Sequence, residues 1–424
     1  MSFMKNSAAG LVLTASALAA STAFAAGFQL TEQSSLGLGR AYAGAGIVGD
    51  DLSAVHYNPA GMTLLPGTQV QAGSVWIDVD AEFSGDNGFD ENGRLKGQFI
   101  PAGFVTYQVN DKFWLGFGMT VPFGMGTEYD RMWEGNDRGT SSKVYTFDMN
   151  PNFAYKVSDF ISIGGGISVQ YAKARLGMMT DMYGMDVLHS KIEADSWDWG
   201  YNFGIMISPT DKMRFGLAYR SSIEHNAEGQ MKFANGLGDL ALLNGMEFGT
   251  ETTLNTPDTV MLTATWEATP DLRLSGLIRW ANWSKLDTLT FDTDVPSIIS
   301  SMSPELALML KSKDIDCEWQ DTWLFSVGAD YRLNDAWTVR GGIAYETSAV
   351  DEDETRMAVI PDTDRVWLSL GASYHWSKQL QFDVAATMLK GVGDRDLYHL
   401  DGSKIGEYDT LDCYILGAQM QYRF

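Results

Sequence analysis

The feature that most limits the fold of this chain is a two-residue alternation of apolar and polar side chains, which recurs after residue 67. In the segment 322–333, Trp323, Phe325 and Val327 begin one face, while Ser326 and Gly328 lie on the other. Alternate residues of a β-strand point to opposite sides of the sheet. The pattern predicts 14 strands, near 68–84, 98–109, 112–121, 143–156, 159–176, 196–208, 212–222, 256–267, 271–282, 321–333, 336–346, 365–376, 379–389 and 411–424.

The connections between the predicted strands alternate in length. Short turns occur at Asn110-Asp111, Thr269-Pro270, Asn334-Asp335 and Ser377-Lys378, among others, and long loops join the remaining pairs. Short turns on one side and long loops on the other are typical of outer-membrane barrels. No run of about 20 apolar residues follows the N-terminal region, which argues against a helical membrane protein. The fold class predicted is therefore an all-β, 14-stranded antiparallel transmembrane β-barrel.

Aromatic residues indicate which face of this barrel meets lipid, since alternation alone fits a soluble barrel equally well. Trp266, Tyr331, Trp337, Trp376 and Phe382 crowd beside the short turns, where an interfacial girdle is expected. The chain ends on Phe424, with apolar residues at alternate positions before it, as in the assembly signal of bacterial outer-membrane barrels. The predicted location is the outer membrane of a Gram-negative bacterium, in contact with its lipid and lipopolysaccharide.

The first 66 residues divide into two parts that precede the barrel at 67–424. Residues 1–25 read as a signal peptide, because Lys5 precedes an apolar run and Ala23-Phe24-Ala25 is a small-x-small cleavage site. Residues 26–66 are rich in Gly and Ala and lack alternation. A 14-stranded barrel with small lumenal side chains needs filling, so we interpret this segment as a hatch that plugs the lumen. A periplasmic tail is the alternative.

Charge and cysteine content exclude several function classes. With 30 Lys and Arg against 54 Asp and Glu, the net charge of −24 argues against nucleic acid as a partner. Two cysteines, Cys317 and Cys413, allow one disulfide near the extracellular rim. The five histidines suggest no catalytic triad at the outer face, so an enzyme is not expected, and neither a metal nor another cofactor is predicted.

Three motifs along the chain are distinctive. The first runs from Ala26-Gly27-Phe28-Gln29-Leu30 through Gly37-Leu38-Gly39-Arg40-Ala41-Tyr42 and Asp50-Asp51 to Asn58-Pro59-Ala60. The others are Val121-Pro122-Phe123-Gly124 and Ile360-Pro361-Asp362-Thr363-Asp364-Arg365. These motifs resemble those of the FadL family of outer-membrane transporters for long-chain fatty acids and other hydrophobic compounds. The resemblance implies a monomeric barrel that captures a hydrophobic small molecule outside, passes it to a lumenal pocket and opens a path by rearranging the hatch.

Three groups of site residues follow. The resemblance places Phe28 and Leu30 beside the pocket, where they would contact the ligand and gate its passage. It also places a wall kink with a lateral opening in the third strand, and Pro122-Phe123-Gly124 fit that kink because proline cannot donate to a strand ladder. Lumen-facing Arg332 and Arg340 could latch Asp50 and Asp51 of the hatch, or could pair with carboxylates of the wall.

The ligand stays open between two classes. At the stretches that best match the family's basic positions, Gly177-Met178-Met179 and Leu289-Thr290 offer no cation for a carboxylate, although Lys173, Arg175 and Lys285 lie nearby. The ligand could be a fatty acid held differently or an uncharged aromatic or aliphatic hydrocarbon. A general hydrophilic porin is the third reading.

Overall fold

The computed structural model describes residues 26–86, 90–92, 97–130, 133–181 and 186–424, so the predicted signal peptide at 1–25 lies outside the described residues. The fold is a closed barrel of 14 antiparallel strands, as predicted. The first seven are β1 (Thr68–Gly85), β2 (Gln98–Asn110), β3 (Phe113–Thr120 and Gly124–Glu128), β4 (Ser141–Lys156), β5 (Ile161–Asp181), β6 (Asp186–Thr210) and β7 (Met213–Arg220 and Glu224–Ala234).

The second half of the barrel continues the meander, and each strand pairs with its predecessor. These strands are β8 (Glu247–Asn255 and Thr259–Glu267), β9 (Leu272–Ala281 and Thr288–Thr293), β10 (Ser312–Asp316 and Thr322–Arg332), β11 (Trp337–Glu346), β12 (Arg365–His375), β13 (Leu380–Gly391) and β14 (Lys404–Arg423). The barrel closes where β14 pairs with β1, from Gln69 opposite Arg423 to Gly85 opposite Gly406. Two short strands, Asp90–Asn92 and Asp396–Tyr398, extend the outer loops.

Helices are few and short. Two lie before the barrel, α1 (Ser35–Leu38) and α2 (Ala54–Tyr57), and two lie in the loop within β9–β10, α3 (Ser297–Met302) and α4 (Pro304–Lys311). Turns of 3₁₀ helix occur at Pro59–Leu64, Asn136–Arg138, Gly238–Leu243, Trp283–Lys285 and Asp353–Thr355. Ser303 caps α4, since its hydroxyl accepts a hydrogen bond from the Leu306 amide at 3.3 Å. Among the described residues, no helix has both the length and the apolar character to cross a membrane.

Strands β5 and β6 extend further outward than the alternation predicts. The sequence placed the start of the sixth strand near 196, but β6 begins at Asp186. In this outer part the pattern inverts: Leu188 and Ile192 are buried inside, while Lys191 is exposed outside. Above the lipid, water lies outside the wall and packed loops lie inside, so the apolar face turns inward. The apolar outward face by which strands were predicted therefore ends at the membrane surface, although the strands continue.

The outward face within the membrane is apolar and aromatic. Trp266, Tyr331, Trp337, Trp376 and Phe382, which the sequence assigned to an interfacial girdle, are all among the exposed large hydrophobic residues. Inward-facing positions carry small or polar side chains, as in Ser326 and Gly328 of β10. The polar face therefore lines the lumen, which is the orientation that the aromatic residues indicated.

Residues 26–66, which we call the N-terminal segment, pack against inward-facing groups of strands all round the barrel. Most of their side chains are buried. The Ser35 amide donates to Oε1 of Gln419 in β14 at 2.8 Å, and the Leu52 amide donates to Oε1 of Gln71 in β1 at 2.9 Å. On the other side, the Gly44 amide donates to the carbonyl of Gly276 in β9 at 3.2 Å.

Candidate functional site

The third strand is interrupted at the residues that the sequence singled out. Thr120 pairs with Asp148 and the next paired residue, Gly124, lies opposite Tyr145, so Pro122 and Phe123 fall in the break. Pro122 has no amide hydrogen to donate, which removes one ladder bond at this point. Beyond the break, β3 pairs with β4 again, but in a shifted register.

This interruption leaves a stretch of wall unpaired. β2 pairs with β3 only between Gly103–Met119 and Asn110–Phe113. Beyond that, Gln98–Ala102 of β2 pair with β1, and Gly124–Glu128 of β3 pair with β4. Within the described residues no ladder joins these two stretches, and they belong to strands that are neighbours elsewhere in the barrel. The break is thus a place where the two strands can separate without breaking a ladder between them.

The N-terminal segment hydrogen-bonds to the broken strand. The Leu30 amide donates to the Pro122 carbonyl at 2.8 Å, and the Gly124 amide donates to the Phe28 carbonyl at 2.9 Å. Gln33 adds a bond from its side-chain Nε2 to the Val121 carbonyl at 2.7 Å. Phe28 and Leu30, predicted to gate the ligand path, therefore satisfy backbone groups at the interruption.

Three aromatic rings pack around Phe28. Its ring centroid lies 4.8 Å from that of Trp283, 5.8 Å from Trp319 and 5.9 Å from Phe123. Gly27 allows the turn into this cluster, since its φ is +65° and a Cβ there would lie 2.6 Å from the Trp319 ring. The cluster joins the start of the N-terminal segment, the break in β3 and two loop tryptophans into one buried apolar contact.

A cavity adjoins this contact on the lumenal side. Its wall is apolar at Leu30, Phe123 and Leu277, and two arginines supply positive charge; the lining residues also include Gln29, Thr31, Tyr42, His56, Tyr57, Pro59, Pro122, Gln170, Asn202, Ala218, Tyr219, Ile223, Thr256, Met261 and Leu324. A pocket with an apolar body and a few placed polar groups is the usual form of a small-molecule site.

The two arginines of the cavity, Arg220 and Arg279, are already hydrogen-bonded. Arg279 donates from Nη2 to Oε1 of Glu346 at 2.7 Å and from Nη1 to the Thr31 hydroxyl at 2.6 Å. Arg220 donates to the Ser168 hydroxyl at 2.6 Å and to the His56 carbonyl at 3.0 Å. Each contacts the N-terminal segment, so both cations connect the cavity to that segment.

Glu32 lies beside the same charges but makes no side-chain hydrogen bond in the described structure. The side chain is 1% exposed. Burial raises the pKa of this carboxyl to about 7, and repulsion from Glu346 adds to the effect, while Arg279 and Arg365 lower it. A buried carboxyl without a partner is costly to ionise, so Glu32 keeps its proton at pH values up to about 7.

The motif Asn58-Pro59-Ala60 seats the segment against the wall. The Asn58 side chain accepts a hydrogen bond from the Ala60 amide at 3.1 Å and donates to the Ile205 carbonyl at 3.1 Å. Strand glycines make room for it. A Cβ on Gly204 would lie 2.1 Å from Oδ1 of Asn58, closer than side chains tolerate. The motif thus fixes the turn and docks it on β6.

The ion pairs between the segment and the wall differ from those expected. Asp50 pairs with Arg273 of β9 at 2.9 Å and with Arg40 of its own segment at 3.3 Å. Burial alone would raise the pKa of Asp50, but these two arginines outweigh it and hold the pKa well below its usual range. Arg40 also reaches Asp330 of β10 at 3.4 Å. A charged link between segment and wall is present, built on Arg40 and Arg273.

The other members of the expected latch have different partners. Arg332 pairs with Asp271 in a short turn at 2.8 Å, and Arg340 pairs with the wall residue Asp330 at 3.0 Å. Asp51 accepts from Nε2 of Gln71 at 2.9 Å. Arg332 and Arg340 therefore pair with carboxylates of the barrel wall and its turns, which was the alternative to a latch on Asp50 and Asp51.

The comparisons with known proteins bear on this geometry. Residues 16–424 match the family described as outer membrane protein transport protein (OMPP1/FadL/TodX). The chain belongs to this family. It is 31% identical to the 47 kDa outer membrane protein of Pasteurella multocida, with 98% of each chain covered. It is 28% identical to the long-chain fatty acid transport protein of Escherichia coli K12, covering 88% of this chain and 90% of that protein.

Solved structures of FadL-family proteins share the fold. The crystal structure of a Pseudomonas aeruginosa FadL homologue superposes with a TM-score of 0.82 at 23% identity, covering 94% of this chain and 100% of that one. The P. putida toluene transporter TodX gives a TM-score of 0.69 at 15% identity, covering 88% and 94%. The family relatives are transporters and outer-membrane proteins by name, and this chain is accordingly an outer-membrane transporter of hydrophobic compounds.

For a FadL-family member, the cations of the cavity are the residues that the sequence did not reveal. The resemblance pointed to 177–179 and 289–290 for the basic positions, whereas Arg220 and Arg279 lie on β7 and β9. The two-residue alternation places Arg279 on the inward face of β9 with Leu277, and this is the sequence signal that could have identified it as a lumenal cation. Its contact with Thr31 depends on where the N-terminal segment lies, and no local pattern encodes that.

The two cysteines are free thiols in the structure, both buried. Sγ of Cys317 lies 3.9 Å from Sδ of Met357, and Cys413 sits in the ladder opposite Val79 and Leu389. The disulfide allowed by the sequence is not formed, because Cys413 faces neighbours within the wall while Cys317 packs under a loop. Among the described residues no group of three or more metal-ligating side chains could hold a metal ion.

Proposed function

We propose that this protein takes up long-chain fatty acids or similar hydrophobic molecules across the outer membrane by a ligand-gated rearrangement of the N-terminal segment. In this proposal residues 1–25 are a signal peptide, residues 26–66 are a hatch and residues 67–424 are the barrel. The protein acts as a monomer. The observation that carries the proposal is the contact of Phe28 and Leu30 with both the cavity and the break in β3.

The route follows from that contact. A hydrophobic molecule entering the cavity would compete with Leu30 and Phe123 for the same apolar surface. Displacing residues 28–30 would free the backbone of Pro122 and Gly124, to which they are bonded. The molecule would then leave sideways between β2 and β3 into the bilayer. Lateral exit spares the exposure of its apolar surface to water, which costs about 25 cal/mol per Å².

The arginines favour a fatty acid as the ligand. A carboxylate that reaches Arg279 could replace the bond to Thr31 and so loosen the N-terminal segment at the same moment. Charge-assisted hydrogen bonds of this kind are about twice as strong as neutral ones. Relatives named as long-chain fatty acid transport proteins support this choice.

An uncharged hydrocarbon is the second candidate. Arg279 already has Glu346 as its partner at 2.7 Å, and Arg220 has Asp148 of β4 at 3.6 Å and the Ser168 hydroxyl at 2.6 Å. A ligand without charge would leave these bonds intact and occupy only the apolar part of the cavity. The toluene transporters among the structural neighbours support this alternative.

Uptake measurements separate the candidates. Cells that lack other hydrophobic transporters and express this chain would be supplied with radiolabelled oleate or toluene, and molecules that co-purify with the protein would be identified by mass spectrometry. We expect saturable uptake of oleate and a bound fatty acid. Toluene uptake alone would establish the second candidate, and swelling of proteoliposomes in sugars would indicate a hydrophilic porin instead.

A further inference from the structure

A group of cations lies on the outward face of β4, β5 and β6, just beyond an aromatic row. The row consists of Tyr145, Tyr171 and Trp197, whose ring centroids are 6.2 Å and 5.2 Å apart in that order. Two residues further outward along each strand are Lys143, Lys173 and Asp195; Arg175 and Lys191 follow on β5 and β6. These side chains point away from the lumen, because they share the parity of the exposed ring of Trp197.

The aromatic row marks the outer edge of the lipid band. On β4 the outward residues from Tyr155 to Tyr145 span ten positions, and the same count separates Ile161 from Tyr171 on β5 and Ile207 from Trp197 on β6. Ten residues rising about 3.3 Å each at a tilt of about 40° cover about 25 Å, the height of the apolar band of such barrels. The cations therefore lie at the level of the outer-leaflet headgroups.

The arrangement of the cations has an electrostatic cost that the fold does not require. Lys143 lies directly opposite Arg175 in the β4–β5 ladder, and like charges in that position destabilise a strand pair. Glu193 pairs with Arg175 at 2.9 Å and with Lys173. In the part of the chain that the structure describes, Lys143 and Lys191 form no ion pair. Two of the cations thus remain available to an anion from outside.

Neighbouring parts of the barrel carry the opposite charge at this level. On β1, the outward residues beyond Trp76 are Asp78 and Asp80. The cations Lys285 and Lys390, also near the outer rim, are each neutralised by an aspartate, at Asp258 and Asp412. In a chain with a net charge of −24, a local excess of positive charge on three adjacent strands is the exception.

We propose that Lys143, Arg175 and Lys191 bind the phosphate groups of lipopolysaccharide in the outer leaflet. The strand register places these residues within about 5–8 Å of their nearest neighbour in the set, the spacing of opposite and diagonal positions across a ladder. One phosphorylated sugar headgroup spans that distance. Its phosphate would lie between Lys143 and Arg175, relieving their repulsion, while its acyl chains would pack below on Tyr145, Tyr171 and Trp197.

The test is a binding measurement on lipopolysaccharide-depleted protein in mild detergent. Native mass spectrometry would count bound lipopolysaccharide for the wild type, for Lys143→Gln/Arg175→Gln/Lys191→Gln, and for the matched control Lys285→Gln/Lys390→Gln. Each basic residue near an anionic surface contributes about a fivefold effect. We expect affinity to fall by about 100-fold in the triple variant, and to stay at the wild-type value in the control.

Two further sets of measurements identify the chemical group of the lipid that is bound and the charge that binds it. Lipopolysaccharide with its lipid A phosphates removed and phosphatidylglycerol should each bind weakly to the wild type, and free phosphate should not compete at millimolar concentration. A charge-conserving variant, Lys143→Arg/Lys191→Arg, should bind like the wild type, which guards against a folding defect. The proposal is overturned if the triple variant keeps its affinity, if dephosphorylated lipopolysaccharide or phosphatidylglycerol binds equally well, or if the charge-conserving variant loses binding.

Discussion

At the scale of single residues, the interruption of β3 depends on Pro122 and Gly124. Pro122 cannot donate a ladder hydrogen bond, and a Cβ on Gly124 would approach Leu30 to 3.0 Å. The neighbouring Phe123 is buried among the rings around Phe28. A side chain at Gly124 and an amide hydrogen at 122 would therefore favour a continuous strand and push the N-terminal segment away from it.

The first prediction follows for Pro122→Val/Gly124→Thr. This variant should pair along the full length of β3, so oleate uptake should fall by at least tenfold while oleate binding to the purified protein persists. The matched control is Gly341→Thr, whose Cβ faces lipid on β11 with its nearest neighbour at 3.5 Å. Uptake at the wild-type rate by an intact barrel of the double variant would show that the route does not pass through this strand.

A second prediction concerns Arg279 and Glu346. Removing one member of a buried ion pair leaves the other unpaired, so both charges are removed together in Arg279→Met/Glu346→Gln. A hydrogen bond to a charged group contributes about 1.5–3 kcal/mol, and loss of the cation should weaken oleate binding by about 10- to 100-fold. Toluene binding, measured by the same calorimetric titration, should not change. Equal loss for both ligands would mean that Arg279 supports the cavity and does not recognise a carboxylate.

At the scale of elements, the N-terminal segment combines a rigid docked part with an end that is bonded to the break in β3. The docked part includes Asn58 on β6 and Asp50 on Arg273 of β9. The end, residues 26–33, is attached through backbone hydrogen bonds, through side-chain bonds of Gln33, Asp362 and Arg279, and through the rings around Phe28. In the proposed gating step these contacts break while the docked part stays in place.

The third prediction is that deleting Ala26–Leu30 separates folding from gating. The barrel should assemble and show the same heat-modifiable mobility on gels, since its ladders do not include these residues. Oleate uptake should no longer saturate as the oleate concentration rises, because the contact between the cavity and the wall is missing. The matching control removes Leu400–Ser403, the tip of the outer loop that precedes β14. A barrel that fails to assemble would contradict this prediction.

The fourth prediction is a pH dependence of docking set by Glu32, which faces Glu346 of β11, Arg279 of β9 and Arg365 of β12. With a docked pKa of about 7 against an ordinary value of 4.5, the docked state binds the proton more tightly. Docking is thus strongest below pH 4.5 and loses stability as pH rises through 7, by roughly 3 kcal/mol in total.

Amide hydrogen exchange of residues 26–33 measures this effect. Protection should be greater at pH 5 than at pH 8 after correction for the intrinsic exchange rate, and Glu32→Gln should make protection independent of pH. If wild-type protection is the same at both pH values, Glu32 does not control docking.

At the scale of the whole molecule, alternation along the chain was sufficient to predict the barrel. The inward face of β10, with Ser326 and Gly328, could be read because lipid and lumen demand opposite chemistry on adjacent residues. The break could be predicted from Pro122 together with Gly124, because proline donates no ladder hydrogen bond and glycine permits an irregular backbone. The partners of Arg332 and Arg340 could not, since several carboxylates lie within reach of each and only the three-dimensional register selects among them.

The loop contributions were also beyond reach of the sequence. Trp283 and Trp319 sit in irregular connections, so no periodicity assigns them a face, and their contact with Phe28 joins parts of the chain that are far apart. The helix at 304–311 differs from these loops, because Ser303 and Pro304 form a start signal that is local in the sequence.

The fifth prediction concerns the thiols of the intact molecule. Alkylation of unfolded, non-reduced protein should add two labels by intact-mass measurement, one each on Cys317 and Cys413. Labelling of the folded protein should be slow at neutral pH, because burial raises the pKa of Cys317 to about 12 and keeps the thiolate scarce. An unlabelled unfolded protein would reveal a disulfide.

The hydrogen bonds between residues 28–30 and Pro122–Gly124 have a consequence for the permeability barrier of the cell. If those bonds break during transport, as proposed, amides and carbonyls at the edge of the wall lose their partners beside the bilayer, where lipid offers no replacement. A hydrophobic molecule in transit would cover the apolar surroundings but would not satisfy these groups. The opened state would therefore be short-lived, and the unsatisfied groups of the wall would drive the return of the N-terminal residues, so that a transporter for hydrophobic molecules would not become a leak for antibiotics and detergents.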